Sequence, residues 1–224
     1  MSDNVYCYPG SNVLVNRFDI RDVEELNQIE MQRTQFNYAL MQKNPVKGDF
    51  DVVHIKAIHY HLFYELYEWA GKFRTVNVAK VTDFCRHHLI EYNIVSIFNK
   101  LSKENYLIDV NQESICSRLA FYITEINATH PFREGNGRTQ RMFISYLARV
   151  AGYDVDFSAT TEDEMTAASI YSWSNDESKF AKIFERIITS ISWDEQLKYA
   201  KRVLSSKNRV LQMLIEKDKN TAMI

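Results

Sequence analysis

Hydrophobic residues recur at helical spacing along most of the chain. Two series have intervals of three and four residues: Ile55, Ile58, Leu62, Leu66 and Trp69, and then Ile115, Leu119, Ile123 and Ile126. Both series predict helices that face the core, and the first helix would end at Gly71. Residues 138–151 contain no glycine or proline, and the part from Met142 to Ala151 is apolar on most faces. They predict a central helix that is buried all round and ends at Gly152.

One short segment alternates at strand spacing instead. It consists of Thr75, Val76, Asn77 and Val78, and Lys80 follows in a turn-like stretch. This alternation predicts a strand and turn with an exposed edge, in a hairpin over about residues 73–86. The sequence therefore predicts an all-α, mainly helical fold with one small β-hairpin.

The composition is typical of one compact domain. The chain has 224 residues, of which 46% are hydrophobic and 25% charged, and this is enough for a sizeable core. We expect a domain over residues 1–193, with its core over about residues 50–155, and a helical extension over residues 194–224. The extension has seven Lys or Arg against four Asp or Glu, which favours a solvated face. It would pack on the domain or on a partner and fray at its end.

Charge and cysteine content argue against several classes of protein. The net charge of −2 gives no field that attracts nucleic acid in general, and no apolar run approaches membrane-spanning length. The chain does not start with positive charges followed by an apolar stretch, so we expect a cytoplasmic protein; secretion by a machine that reads other signals stays open. Three cysteines without a Cys-x-x-Cys pair predict neither a disulfide framework nor a zinc site.

The residues that carry chemistry are concentrated between positions 130 and 141, which read His-Pro-Phe-Arg-Glu-Gly-Asn-Gly-Arg-Thr-Gln-Arg. Gly135 and Gly137 allow a tight bend and a close approach to a ligand, just before the predicted central helix. The start of a helix has free N–H donors and about half a positive charge. Gly135, Asn136 and Gly137 therefore form a candidate cradle for phosphate oxygens.

Four charged or titratable side chains complete this candidate site. Arg138 and Arg141 share a face of the first helical turn, and two guanidiniums beside free N–H groups suit a polyphosphate. Glu134 would repel phosphate at the same loop unless a divalent cation lay between them, which implies Mg²⁺. His130 can take up a proton near neutral pH without a large pKa shift, and it is therefore the candidate base.

Structural explanations exist for each of these residues alone, because most glycine turns and most single histidines serve the fold. Their combination within twelve positions is what favours a functional site. The six glycines do not form a P-loop, and Gln140 interrupts a Gly-x-Gly-x-x-Gly pattern. The phosphate site is therefore of neither common type.

Residues 130–141 resemble the complete HxFx(D/E)GNGRxxR motif of Fic domain proteins, named for cell filamentation. Trp69-Ala70-Gly71, followed by Phe73-Arg74-Thr75-Val76-Asn77-Val78, is similar to the end of a helix and the β-hairpin flap of that family. Tyr8-Pro9-Gly10, with Asn16 soon after, resembles the start of a bacterial branch that contains stand-alone Fic toxins and host-targeted effectors. The resemblance spans roughly residues 5–190.

The resemblance implies transfer of AMP from ATP to a Ser, Thr or Tyr hydroxyl of a target protein. Asn136 and the N–H groups of Gly135 and Gly137 would bind the α-phosphate region of the nucleotide. Arg138 and Arg141 would bind the β and γ phosphates.

The same resemblance implies roles for the other motif residues and for the flap. His130 would deprotonate the target hydroxyl, Glu134 would hold Mg²⁺ between the α and β phosphates, and Phe132 would be a core anchor. Without the resemblance, we would read the hairpin as a cover over the cleft. With it, the flap residues Thr75, Val76, Asn77, Val78 and Lys80 would align an extended target segment by backbone pairing.

Many Fic proteins are held inactive by a helix with the motif (S/T)xxxE(G/N), whose Glu pairs with the second arginine of the active-site motif. In this chain only Glu104 and Glu134 precede Asn or Gly, and Lys100 and His130 stand four residues before them. The sequence therefore lacks a built-in inhibitory motif. We expect a small, separate antitoxin-like protein to supply the Glu to Arg141, and the resemblance implies type II topoisomerase subunits among the targets.

Two other functions stay open. The same scaffold could transfer a different phosphate group, although Fic-like kinases replace the glycine-rich stretch and Gly135-Asn136-Gly137 is intact here. Alternatively, the chain could be a non-catalytic interaction module with a vestigial phosphate site, although the motif is complete.

Overall fold

The computed structural model describes residues 5–79, 84–174 and 176–221. These ranges contain nine α-helices: α1 (Val23–Lys43), α2 (Val52–Phe63), α3 (Ile90–Lys103), α4 (Gln112–Thr129), α5 (Asn136–Ala151), α6 (Glu162–Tyr171), α7 (Ser178–Ile187), α8 (Trp193–Val203) and α9 (Arg209–Thr221). Two short strands, β1 (Tyr153–Val155) and β2 (Ile188–Ser190), form an antiparallel sheet in which Tyr153 pairs with Ser190. The prediction of a mainly helical fold is confirmed. Within the described ranges, no helix is long and apolar enough to cross a membrane.

Helix α5 lies at the centre of the fold. Every residue from Met142 to Ala148 is buried, and α2, α4 and α8 pack around the helix. Gly152 ends α5 in the left-handed conformation, with φ at 99°. The prediction of a buried central helix with a glycine at its C-terminal end is therefore confirmed, and the helix carries the start of the candidate site from the core toward the surface.

Helix α2 is shorter than its apolar spacing predicts. The predicted helix ran to Gly71, but α2 ends at Phe63, and the chain then makes successive turns. Gly71 lies at φ 76°, and its N–H donates to Nδ1 of His59 at 2.8 Å instead of continuing a helix. Leu66 is nonetheless fully buried. The apolar spacing persists because the turns keep these side chains in the same core.

The predicted strand over residues 75–78 is not regular: Thr75 and Val76 form a bend, Asn77 and Val78 have no regular structure, and Ala79 makes a single β-bridge. Side chains satisfy the backbone groups that a strand would pair: the N–H of Thr75 donates to the Tyr6 hydroxyl at 3.0 Å, and the carbonyl of Val76 accepts from Arg74 at 2.7 Å. One backbone hydrogen bond, from Phe84 N to Val78 O at 3.3 Å, still joins the two arms of the flap. Lys80 lies outside the described residues.

The C-terminal extension packs on the domain. Helices α8 and α9 bury apolar side chains in the same core as α5: Leu197, Tyr199, Ala200, Val203, Val210, Leu211 and Leu214. Gln196 reinforces this packing by donating from Nε2 to the carbonyl of Val150 at 2.8 Å. The prediction of a helical segment after Trp193 matches α8 and α9, whereas a domain boundary at residue 193 stays a prediction.

Two buried histidines stabilise the N-terminal half of the fold in their neutral form. Burial lowers the pKa of His54 to about 4 and that of His59 to about 3. In each ring Nδ1 accepts a backbone N–H, from Phe50 for His54 and from Gly71 for His59. The other nitrogen, Nε2, therefore carries the proton and donates to a backbone carbonyl.

We expect the free energy of unfolding to fall as the pH falls from about 6.5 toward 4. Below about pH 6.5 the unfolded histidines bind protons while the buried ones do not, so each contributes a slope of about 1.4 kcal/mol per pH unit. Urea denaturation at a series of pH values measures this slope. His54→Gln, which keeps an acceptor and a donor, should give a shallower slope than the parent chain. Parallel pH dependences for the two chains would contradict this assignment.

Candidate active site

The candidate site lies at the junction of α4 and α5. His130 ends α4 in the left-handed conformation, with φ at 46°, and its N–H still bonds to the carbonyl of Ile126 at 3.0 Å. Gly135 then precedes α5, also with a left-handed φ of 78°. The two left-handed residues turn the chain sharply between the end of α4 and the start of α5.

Asn136 holds the intervening loop closed. Its buried side chain accepts a hydrogen bond from the N–H of Phe132 at 2.9 Å and donates to the carbonyl of the same residue at 2.8 Å. These two bonds use the oxygen of the amide and one of its two N–H donors. Binding of Asn136 to the α-phosphate region of a nucleotide stays a prediction.

Phe132 anchors the loop in the core below it. Its ring is fully buried and stacks on the imidazole of His59, with ring centroids 3.9 Å apart. Nε2 of His59 in turn bonds to the carbonyl of Glu134 at 3.0 Å. The buried histidine of α2 thus supports the active-site loop from beneath, a role that its helical spacing alone did not indicate.

The two glycines of the loop have different structural roles. An ideal Cβ on Gly135 would lie 2.1 Å from Cζ of the buried Phe63 ring, so close packing and a left-handed φ both require glycine there. A Cβ on Gly137 would meet only Nη1 of Arg141, at 3.4 Å. The small size of Gly137 is therefore not needed for packing, and it leaves the first turn of α5 open.

No side-chain hydrogen bond caps the start of α5 in the described structure. The N–H of Gly135 bonds to Oε1 of Glu134 at 2.8 Å, a local carboxylate that takes the place of a capping group. The N–H groups of the first turn after Gly135 have no intrahelical partner, as at any helix start. This end of α5 is suited to an anion.

His130 is fixed from two sides. Its ring stacks on Phe84, with centroids 3.7 Å apart and an interplanar angle of 14°. Its carbonyl accepts from Nε of Arg74 at 2.8 Å. Because Phe84 and Arg74 both belong to the flap segment, the flap and the candidate base form one unit.

Arg74 is the residue of this unit that sequence reasoning missed. Its guanidinium is buried and also donates to the carbonyls of Val76, Cys85 and Thr129. Burial lowers its pKa, and a cation at the C-terminal end of α4 interacts favourably with the helix dipole. The sequence signal for a buried role of Arg74 was its place as the one charged residue in the segment from Phe73 to Val78.

The two motif arginines have contrasting surroundings. Nη2 of Arg138 pairs with Oε1 of Glu30 in α1 at 2.6 Å, and Nη1 donates to Oγ1 of Thr34 at 3.0 Å. Sequence reasoning missed both partners, because they lie more than 100 positions away in the chain. Arg138 also lies 3.5 Å from Oε1 of Glu134.

Arg141, in contrast, makes no hydrogen bond or ion pair with any residue that the structure describes. Its guanidinium folds back toward the start of α5, beside Gly137. Burial lowers its pKa, and the nearby charge of Arg138 acts in the same direction, whereas Tyr38 and Glu162 oppose this shift. A partly buried cation without a direct ion pair is unfavourable, so the site gains from an anion that reaches Arg141.

Comparison with known proteins identifies the family. The family model of the Fic/DOC family matches residues 49–148. A probable protein adenylyltransferase of Sinorhizobium fredii, y4lH, is 38% identical over 184 residues, which make up 81% of this chain and 94% of that protein. The protein adenylyltransferase VbhT of Bartonella schoenbuchensis is 35% identical over 192 residues; the match covers 85% of this chain but spans only 40% of VbhT. This chain belongs to the Fic/DOC family.

Solved structures give the same result. The N-terminal Fic domain of a VirB-translocated effector of Bartonella quintana, with bound ADP, has a TM-score of 0.81 and 28% identity, over 86% of this chain and 98% of that one. BepC of Bartonella tribocorum, with bound AMPPNP, has a TM-score of 0.80 and 25% identity, over 85% and 99%. The resemblance inferred from the sequence is therefore confirmed.

We expect the two glycines to respond very differently to the same substitution. Gly135→Ala places a Cβ against Phe63 at a left-handed φ and should lower the free energy of unfolding by about 3 kcal/mol or more. Gly137→Ala is the matched control, and it should leave stability unchanged or raise it by up to about 1 kcal/mol, because it lies in a helix with room for a methyl group. Urea denaturation of both variants gives the comparison. Equal stabilities would show that the cleft relaxes around Gly135.

Proposed function

We propose that this chain is a protein adenylyltransferase, which transfers AMP from ATP to a Ser, Thr or Tyr hydroxyl of a target protein. The observation that carries the proposal is the start of α5, which suits an anion, beside the guanidinium of Arg141, which makes no ion pair with any described residue. The names of the relatives VbhT and y4lH, and the ADP and AMPPNP bound to similar Fic structures, support the same activity.

The nucleotide phosphates bind along the first turn of α5. The backbone N–H groups of Gly135, Asn136 and Gly137 donate to oxygens of the α-phosphate region. Arg141 and Arg138 bind the β and γ phosphates, and Arg141 contributes the larger share of the positive charge because Arg138 is already paired with Glu30. The carboxylate of Glu134 must leave the N–H of Gly135 before a phosphate oxygen takes its place.

His130 is the general base of the transfer. Its imidazole accepts the proton of the target hydroxyl as that oxygen attacks the α-phosphorus. The bond from the α-phosphorus to the oxygen that bridges to the β-phosphate breaks, and pyrophosphate leaves with the electron pair. The stacking on Phe84 and the bond from Arg74 support this role, because they fix the ring and the backbone of the base.

Glu134 fits a site for Mg²⁺. Its carboxylate is a hard oxygen ligand at the mouth of the anion site, with its side chain 37% exposed. One carboxylate together with phosphate oxygens and water is the usual way in which proteins hold Mg²⁺ at a nucleotide. When bound, Mg²⁺ would neutralise charge on the α and β phosphates.

The flap binds the target segment. Thr75, Val76, Asn77 and Val78 follow directly on Arg74, which donates to the carbonyl of His130, and this bond supports a place for the segment next to the base. Lys80 belongs to the same proposed surface but lies outside the described residues. A target strand paired here would bring its hydroxyl to the imidazole.

The chain acts as a toxin restrained by a separate helical protein with the motif (S/T)xxxE(G/N). Arg141 supports this part of the proposal, because it makes no ion pair with the residues that the structure describes, and a Glu from outside would pair with it and exclude the phosphates. Type II topoisomerase subunits are the proposed targets. Transfer of another phosphate group and a non-catalytic binding role remain the alternatives that the next experiment separates.

We expect label to enter protein from the α-phosphate of ATP only. The purified chain is incubated with bacterial lysate, Mg²⁺ and ATP labelled at the α or the γ phosphate, in parallel with His130→Ala. Transfer of AMP predicts α-label on a target protein, which the variant loses by about 10²-fold or more because it has no base. Label from γ alone would mean a kinase, and label that survives in the variant would remove His130 from its role.

We expect a small protein to co-purify with the chain from its native host. Arg141→Ala should reduce this capture strongly, because the incoming Glu loses its partner, whereas Arg138→Ala is a matched control whose guanidinium is already paired inside the chain. Mass spectrometry of the eluate identifies the partner. Equal capture by both variants, or no partner at all in cells that the chain does not harm, would contradict the proposed restraint.

A further inference from the structure

Arg138 is held by a cluster of side chains from outside the motif, which we call the Arg138 clamp: Glu30, Thr34 and Tyr67. Glu30 and Thr34 are four residues apart on one face of α1, and both face the guanidinium. The Glu30 side chain is only 12% exposed, and that of Arg138 is 25% exposed. The contact is therefore a largely desolvated ion pair and not a surface bridge.

Glu30 is itself held in place. One carboxylate oxygen bonds to Arg138, and the other accepts a short hydrogen bond from the Tyr67 hydroxyl. Burial raises the pKa of Tyr67, and the Glu30 charge acts in the same direction, so the hydroxyl stays a donor. The Tyr67 ring stacks on Trp69 with centroids 4.3 Å apart, which leaves the hydroxyl little freedom to move away.

Thr34 completes the clamp by a directional contact. Its hydroxyl donates to the carbonyl of Glu30 at 2.7 Å, so its oxygen presents a lone pair to Nη1 of Arg138. The Phe63 ring lies under the same guanidinium, 4.8 Å from its central carbon. Arg138 is thus bounded by a carboxylate, a hydroxyl and an aromatic face.

The clamp is suited to orienting Arg138 and not to blocking it. A phosphate that displaced Glu30 would leave a buried carboxylate without its cation, which is strongly unfavourable. Bonds to Glu30, Thr34 and Glu134 use three of the five N–H donors of a guanidinium, so two remain for a ligand. Arg138 can therefore donate to phosphate while it stays attached to α1.

We infer that Glu30 is a positioning residue of the nucleotide site, which fixes Arg138 in the orientation that meets the nucleotide phosphates. This inference rests on the proposed function, since it assigns a ligand to the same site. It gives α1 a direct part in nucleotide binding, although the family motif lies wholly in the α4–α5 junction.

The test measures ADP binding by titration calorimetry, with Mg²⁺, for the parent chain and four variants. Glu30→Ala should weaken ADP binding on the order of tenfold, because Arg138 must then be ordered by the ligand. Glu30→Gln keeps an oxygen for Nη2 and should lose less, and Tyr67→Phe should fall between the parent chain and Glu30→Ala. Glu65→Gln is the control, because it removes the carboxylate that pairs with the exposed Arg33 and should leave ADP binding unchanged.

A second comparison separates positioning from general support of the fold. In an Arg138→Ala background, Glu30→Ala should cause no further loss of ADP affinity, because its effect acts through that guanidinium. An equal loss in both backgrounds would mean that Glu30 only stabilises the fold, and this would overturn the inference. Tighter ADP binding by Glu30→Ala would also overturn it, because Glu30 would then compete with phosphate.

The outcome for the parent chain separates this inference from the proposed function. A parent chain that does not bind ADP contradicts the proposed function. A parent chain that binds ADP, with Glu30→Gln and Tyr67→Phe both at parental affinity, contradicts only the role of Glu30. These two variants conserve size and shape, and they keep the test decisive if Glu30→Ala does not fold.

Discussion

The reciprocal hydrogen bonds between the Asn136 side chain and the backbone of Phe132 are the constraint on which the rest of the site depends. Two buried hydrogen bonds of this kind contribute about 1 kcal/mol each to stability, but leaving either partner unsatisfied costs more. They hold the loop between two left-handed residues, His130 and Gly135, and so fix the candidate base relative to the start of α5. Phe132 and His59 fix the same loop from the core side.

The electrostatics of the cleft follow from this geometry. Arg138 and Arg141 lie on one face of α5, yet the fold neutralises the first with Glu30 and leaves the second without a partner among the described residues. The positive charge of Arg141 and the N–H groups at the start of α5 attract the same class of ligand, a polyphosphate or a carboxylate from another protein. In the proposed function, the guanidinium of Arg141 would account for both nucleotide binding and restraint by an inhibitory Glu.

How much the sequence predicted depended on whether the determinants were local. The buried helix α5, its glycine stop and the identity of the motif followed from spacing over a few residues, and the structure has them where they were expected. The sequence did not show that the Asn136 amide bonds to the backbone of its own loop, because an amide in a loop can bond either to a ligand or to the loop itself. The predicted strand at residues 75–78 does not form a regular strand, because the side chains of Arg74 and Tyr6 bond to its backbone groups. The contact between Glu30 and Arg138 could not be predicted from local spacing, since only the fold brings α1 beside the motif.

A crystal structure with a non-hydrolysable ATP analogue and Mg²⁺ tests the central claim most directly, namely that the locked α4–α5 junction presents the α-phosphate to His130. The account predicts phosphate oxygens on the N–H groups at the start of α5 and on Arg141. It also predicts that the imidazole of His130 faces the α-phosphorus on the side opposite the bridging oxygen. Phosphates bound away from α5, or a γ-phosphorus nearest to His130, would contradict it.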